Sequence, residues 1–290
     1  MPVDHKRVNG PEVSTPYIIY SKSNVSPKDE NYYDLIDENN LRKDGRTCDE
    51  QRKIYLKVGI VSKAKGSAYI EIGGTKVIAS VFDPREVHRK SEFSVTGQLY
   101  CEFKYASFSC VRRRLLIPDA EEKALSSALC RALQPAVCLH EFPNFQVDVY
   151  VLVLENTGSC LSAAITCAGL ALADAGVPMY DLVTAVTLGV SGNTLVIDPT
   201  DWEEKTCCKT IRKKSEPNAN IEHGVIVLSM LSTYQQVSEL YHHGCIEFET
   251  IVKATNILIE ANKALIPLVQ QCLVKRVTKL VQEKDKAHAE

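Results

Sequence analysis

Residues 159–175 contain one charged side chain, Asp174, and are otherwise Ala, Leu, Cys, Ile, Ser, Thr and Gly. Ala and Leu favour helix, and Gly176 stands where a C-terminal capping glycine belongs. A helix without a polar face is a buried helix. The fold must therefore be one that packs structure around this segment, and the flanking sequence supplies it.

Upstream, Leu125, Ala128, Leu129, Ala132, Leu133 and Ala136 share one helical face. This spacing predicts an amphipathic helix opened by Pro118-Asp119. Before it, residues 53–58 alternate polar and apolar, and residues 67–72 and 75–81 flank Gly73-Gly74, a two-residue turn. Residues 102–108 give a further strand, and 146–154 a strongly apolar one. After Pro178, strands are predicted at 182–190, 194–197, 224–230 and 236–240, with a polar loop over 206–222. The segment 247–283 reads as helix, bent or divided by Pro267. Strands, helix, strand, helix, then strands and helix again predict an α+β architecture of two similar halves sharing one core.

The 290 residues suffice for one large domain, assigned to 41–280. Residues 1–40 read as a polar extension, within which 17–20 could dock as a short strand. Residues 281–290 read as a charged, fraying tail. The net charge of −2 does not announce nucleic acid, so any nucleic-acid contact would have to come from local patches. The eleven cysteines form no C-x-x-C pair, which predicts reduced thiols in an intracellular protein and no zinc or other metal site. No uninterrupted apolar run approaches ~18 residues, so no membrane span is expected. The N-terminus lacks a secretory pattern.

Leu41-Arg42-Lys43-Asp44-Gly45-Arg46 alone reads as a solvated loop. With Gly66-Ser67-Ala68, the strand and turn through Gly73-Gly74-Thr75, the run from Ala171 to Met179, and Asp181-Leu182-Val183 leading to a strand ending in Asp198, it resembles RNase PH-type domains. The likeness covers roughly residues 41–279 and points to the RNase PH-like ring subunits of the eukaryotic RNA exosome. It implies an RNase PH-type fold of duplicated mixed sheets packed with helices. The partners it implies are other RNase PH-like ring subunits, RNA-binding cap subunits and single-stranded RNA. It also implies a nuclear, nucleolar and cytoplasmic location, and no cofactor is expected.

Active relatives hold inorganic phosphate with an Arg-(Ser/Thr) pair at the start of the first long helix, where free N–H groups and a cation favour an anion. By this resemblance the pair falls on Glu121-Glu122. The same residues have an ordinary reading, since Asp119 and Glu122 have capping-box spacing. Both readings leave no phosphate site. Of the two carboxylates expected after the late strand, Asp198 matches the first and Glu204 stands near the second. Without the arginine, Asp198 reads as a turn residue more than a catalytic one.

Arg112-Arg113-Arg114, with Lys104 on the preceding strand, is a candidate RNA-phosphate patch. A plain solvated face is the competing reading. His242-His243 lacks a third ligand and reads as a polar turn. Three functions remain open at this point: a non-catalytic RNA-threading ring subunit, an active phosphate-dependent 3′-to-5′ exoribonuclease, and a protein-interaction scaffold without RNA contact. Glu121-Glu122 argues against the second.

Overall fold

The computed structural model describes residues 35–36, 41–87, 94–111, 113–115, 117, 119–208 and 222–289. The expected strand at 17–20, the Arg112 patch residue, Pro118 and most of the 206–222 loop lie outside them.

The first sheet has the order β1-β2-β3-β5-β4. It consists of β1 (Ile54–Val58), β2 (Gly66–Ile72), β3 (Thr75–Glu86), β4 (Gln98–Tyr105) and β5 (Phe145–Glu155). It is mixed, because β4 and β5 run parallel while the other pairs are antiparallel. A parallel pair needs a crossover, here supplied by α1 (Ala120–Leu133). The second sheet has the order β7-β6-β8-β9, from β6 (Val183–Ser191), β7 (Thr194–Ile197), β8 (His223–Leu231) and β9 (Val237–Cys245). Its pairings are all antiparallel.

The apolar helix α2 (Cys160–Ala175) lies between the sheets, packed on β2 and β3 on one side and β6 on the other. Fourteen of its sixteen residues are buried. The close approach explains one glycine: a Cβ on Gly66 would sit 2.2 Å from the Ala175 nitrogen. Asp174 at the end of α2 accepts the Ser67 N–H at 3.0 Å and pairs with Arg276 of α4 (Phe248–Ala289) at 3.2 Å. The family-like residues Ser67 and Asp174 thus serve packing.

Buried Ala254, Leu258, Asn262, Leu265 and Val269 place α4 against β1, β6 and β8. Although the sequence has no long uninterrupted apolar run, Phe248–Gln282 contains an 18-residue stretch of mean hydropathy 1.3, long and apolar enough by length and composition to cross a membrane. The buried stripe along the first half is that of a core helix. Pro267 sits inside α4 without dividing it, and the helix continues to Ala289 through the expected tail.

Other expectations shift. His242 and His243 lie within β9 rather than in a turn, because β9 pairs with β8 through Cys245. Strand β4 ends at Tyr105 and not at 108, where hydrogen bonding turns the chain at Ala106. Thr206 and Cys207 belong to a short helix, α3 (Asp201–Cys207), capped by Thr200. Leu35, inside the expected extension, is buried with Val196, Cys207 and Val225.

The face of the first sheet away from α2 carries Tyr55, Tyr69, Phe82, Tyr100, Tyr150 and Leu152. Edge-to-face ring contacts connect Tyr55 to Tyr69 and Tyr150 to both Phe82 and Tyr100. Tyr55 is 55% exposed, so this aromatic face is partly open.

Candidate functional site

The start of α1 is built from its own carboxylates. Asp119 is the N-cap, and it forms a capping box with Glu122. Glu122 is buried and accepts the Tyr105 N–H at 3.0 Å as well as the Asp119 N–H at 3.4 Å. Glu121 points outward to Arg114, at 3.0 Å. An incoming anion would meet two carboxylates, with the Asp119 N–H already taken by Glu122.

Arg114 is also occupied. Its guanidinium lies over the Tyr105 ring at 4.1 Å, and its backbone N–H donates to the Ser107 carbonyl. Arg113 is exposed. Lys104 extends from the face of β4 opposite Tyr105, because successive strand residues alternate. The expected patch is therefore divided: Arg113 faces solvent, Arg114 holds the loop, and Lys104 does not share their face.

A second constellation centres on Asp198, which is 5% exposed. Its carboxylate receives Arg52 in a bidentate grip, Nη2 at 2.7 Å and Nε at 2.8 Å, and also accepts the Arg52 backbone N–H at 3.0 Å. Arg46 approaches at 3.7 Å. Arg52 reaches on to the Thr157 and Gly158 carbonyls at 3.2 and 3.1 Å. One guanidinium thus joins the start of β1, the end of β7 and the loop before α2. Arg42, expected in a solvated loop, is 1% exposed and donates to the Ile197 carbonyl at 2.6 Å. Tertiary burial overrides its charge because carbonyls and Glu203 receive it.

Ser159 and Asp198 both take the left-handed conformation, with φ of 56° and 51°. The Ser159 N–H at the start of α2 donates to Glu204 at 2.7 Å. This second helix start is therefore also filled by a carboxylate of the chain. The cavity beside Asp198, Ser162 and Thr187 measures about 20 Å³, room for one water. Among the described residues, no cluster of three metal-ligating side chains occurs.

Burial would raise the Asp198 carboxyl, but the Arg52 guanidinium outweighs it and holds Asp198 below the usual range. Glu204 goes the other way. Burial pushes it from 4.5 to about 7, with the Ser159 N–H and Arg52 opposing and Asp201 and Asp198 adding to the rise. Its folded value exceeds its unfolded one, so its contribution to stability is complete below 4.5 and is lost as pH rises through about 7. Glu204→Gln keeps an acceptor for Ser159. It should stabilise the fold by roughly 2 kcal/mol at about pH 8, allowing for partial exposure, and by well under half of that near pH 5. Urea unfolding at the two pH values measures this, and equal effects at both would sink it.

Sequence reading found Asp198 and Glu204 but missed Arg52, whose partner lies 146 residues away. Arg52 precedes a strand and resembles any solvated cation there. No local signal marks it.

The comparisons agree with this architecture. Residues 50–178 match the family described as "3' exoribonuclease family, domain 1", RNase_PH. The exosome complex component MTR3 of Homo sapiens is 34% identical over 95% of this chain and 96% of its own. An RRP41-like exosome complex component of Arabidopsis thaliana is 38% identical over 80% of this chain and 84% of its own. Among solved structures, rice Rrp46 superposes with a TM-score of 0.64 at 23% identity, covering 79% of this chain and 98% of that one. An archaeal exosome core chain gives 0.63 at 21% identity, covering 80% and 92%. With its mixed first sheet, its buried central helix and relatives aligned along nearly its whole length, the chain belongs to the RNase PH-type 3′ exoribonuclease family.

Proposed function

We propose that this chain is a non-catalytic subunit of the hexameric RNase PH-like ring of an RNA exosome. There it contributes to threading single-stranded RNA for 3′-to-5′ processing and degradation. Its partners are other RNase PH-like ring subunits and RNA-binding cap subunits, in nucleus, nucleolus and cytoplasm. The observation that carries the non-catalytic reading is the state of the α1 start. Glu122 is built into the capping box and Glu121 is paired with Arg114 where active relatives hold phosphate. The α3 carboxylate of Glu204, seated at the α2 start, and the saturated Asp198 support the same reading.

Assembly is supported by the partly open aromatic face of the first sheet and by the β9 edge. An unpaired strand edge invites association. Expressed alone, the chain should self-associate or precipitate, and it should become monodisperse when co-expressed with an RNase PH-like partner. Light scattering decides this. A stable monomer at micromolar concentration would count against a ring subunit.

For RNA, Arg113 and Arg112 are the candidate phosphate contacts. Replacing both by Ala should weaken binding of any RNA sequence to the assembled ring and reduce the salt slope by about 0.7 per contact. Arg114→Ala should instead loosen the loop, since its cation–π and ion-pair contacts are worth about 1 kcal/mol together. Fluorescence anisotropy across a salt series reads both. An unchanged slope for the Arg112/Arg113 variant would return the run to a solvated face.

A further inference from the structure

We propose that Cys101 on β4 and Cys130 on α1 form a reversible disulfide that locks the edge strand to the helix. Leu99, Cys101, Phe103 and Tyr105 are alternate residues of β4, and the last three are buried on the α1 side. From α1, Ser126 and Cys130 face the strand one turn apart. Ser126 Oγ accepts the Phe103 N–H at 2.9 Å, and Cys130 Sγ donates to the Leu99 carbonyl at 3.4 Å. Each of these side chains has one atom beyond Cβ, yet both reach strand backbone. The helix thus lies within one short side chain of β4. Cys101, buried on the same side of β4, sits between the two strand positions that α1 touches. A disulfide across this contact brings the two Cβ atoms to about 3.5–4.5 Å.

The two thiols differ. Hydrogen bonding from Cys101 lowers Cys130 to about 7 against the effect of burial, with Arg131 assisting. Cys130 is half-buried, so a small oxidant can reach it. The hydrogen bond to Cys130 and burial both raise Cys101. Buried Cys167 and Cys207 are pushed up to about 12 by burial and are poor competitors. Cys130 is therefore the attacking thiolate and Cys101 the resolving one.

The oxidant is hydrogen peroxide. The Cys130 thiolate attacks one peroxide oxygen. An S–O bond forms, the O–O bond breaks, and the departing hydroxide takes a proton to become water. The Cys101 thiol, losing its proton, attacks the sulfenyl sulfur. The S–S bond forms, the S–O bond breaks, and a second water leaves. Two thiols lose two electrons and the peroxide gains them. A dithiol reductant reverses the change. The loop carrying Arg113 and Arg114 lies between the two cysteines in sequence, so the bond closes that loop into a covalent ring.

The test uses the full chain in complex with its ring partner. After a peroxide pulse and alkylation, non-reducing peptide mapping should find Cys101–Cys130 as the dominant cross-link, absent after dithiothreitol. In Cys101→Ser the reaction should stop at a sulfenic acid on Cys130, trapped by dimedone. In Cys130→Ser neither cross-link nor dimedone adduct should form at Cys101. The oxidised wild type should melt higher than the reduced one, and Cys130→Ser should abolish the difference. A different dominant pair, or a Cys130 in the wild type that labels no faster than the buried Cys167, overturns the proposal. The wild-type mapping decides the matter even where a serine variant folds poorly.

Discussion

The purified chain, alone or with one inactive partner, should release no nucleoside diphosphate from a 3′-labelled RNA oligomer in magnesium and phosphate. Phosphorolysis requires phosphate held in line with the scissile bond by positive charge and N–H donors. At the start of α1, Glu122 takes the Asp119 N–H and Glu121 projects toward Arg114. A phosphate oxygen ~4 Å from one carboxylate would be repelled by about 4 kcal/mol at an effective dielectric near 20. Losing an attracting arginine adds a penalty of the same sign. At about 1.4 kcal/mol per tenfold, the deficit is several powers of ten. Glu121→Arg with Glu122→Ser should regain phosphate binding at most. Glu122 also holds the Tyr105 N–H, and Asp198 remains gripped by Arg52. Phosphate-dependent release by the wild-type chain, abolished by substituting Asp198, would overturn the non-catalytic reading.

Asp198→Ala should destabilise the fold by about 3–5 kcal/mol, the cost of leaving a buried charge without its partner. Arg52 would keep its carbonyl contacts to Thr157 and Gly158 but lose the carboxylate that neutralises it. The three elements it joins would loosen together. Asp198 is held below its ordinary 3.8, so its contribution is complete above that value and is lost as pH falls below it. The gap between wild type and variant should narrow on acidification because the wild type loses the Asp198 contribution, whereas for Glu204 it narrows because the wild type regains stability. Chemical denaturation of the two chains across pH reads the effect. An Asp198→Ala variant as stable as wild type would show that the Arg52 grip contributes nothing to folding.

Local pattern carried much of the fold. The face of α1 was legible because Leu125, Leu129 and Leu133 bury on one side. The β2–β3 hairpin was legible because Gly73-Gly74 separates two alternating strands that pair Ile72 with Thr75. Short-range reading failed for β9. Its histidines and glycine look like a turn, yet pairing to β8 carries Tyr241 to Cys245 as strand. It failed again for Arg42, which a composition rule sends to solvent and the fold buries under Ile197.

The candidate site divides along the same line. Capping chemistry acts within one helical turn, so Asp119, Glu121 and Glu122 could be read from spacing, whereas Asp198 and Glu204 were singled out by the family resemblance. Their states could not be read that way. Arg52 meets Asp198 across 146 residues, and Glu204 meets Ser159 across 45. A one-dimensional pattern encodes what residues a few positions apart do to each other. The burial that raises Glu204 and the guanidinium that lowers Asp198 arise only when distant segments are packed into one low-dielectric place.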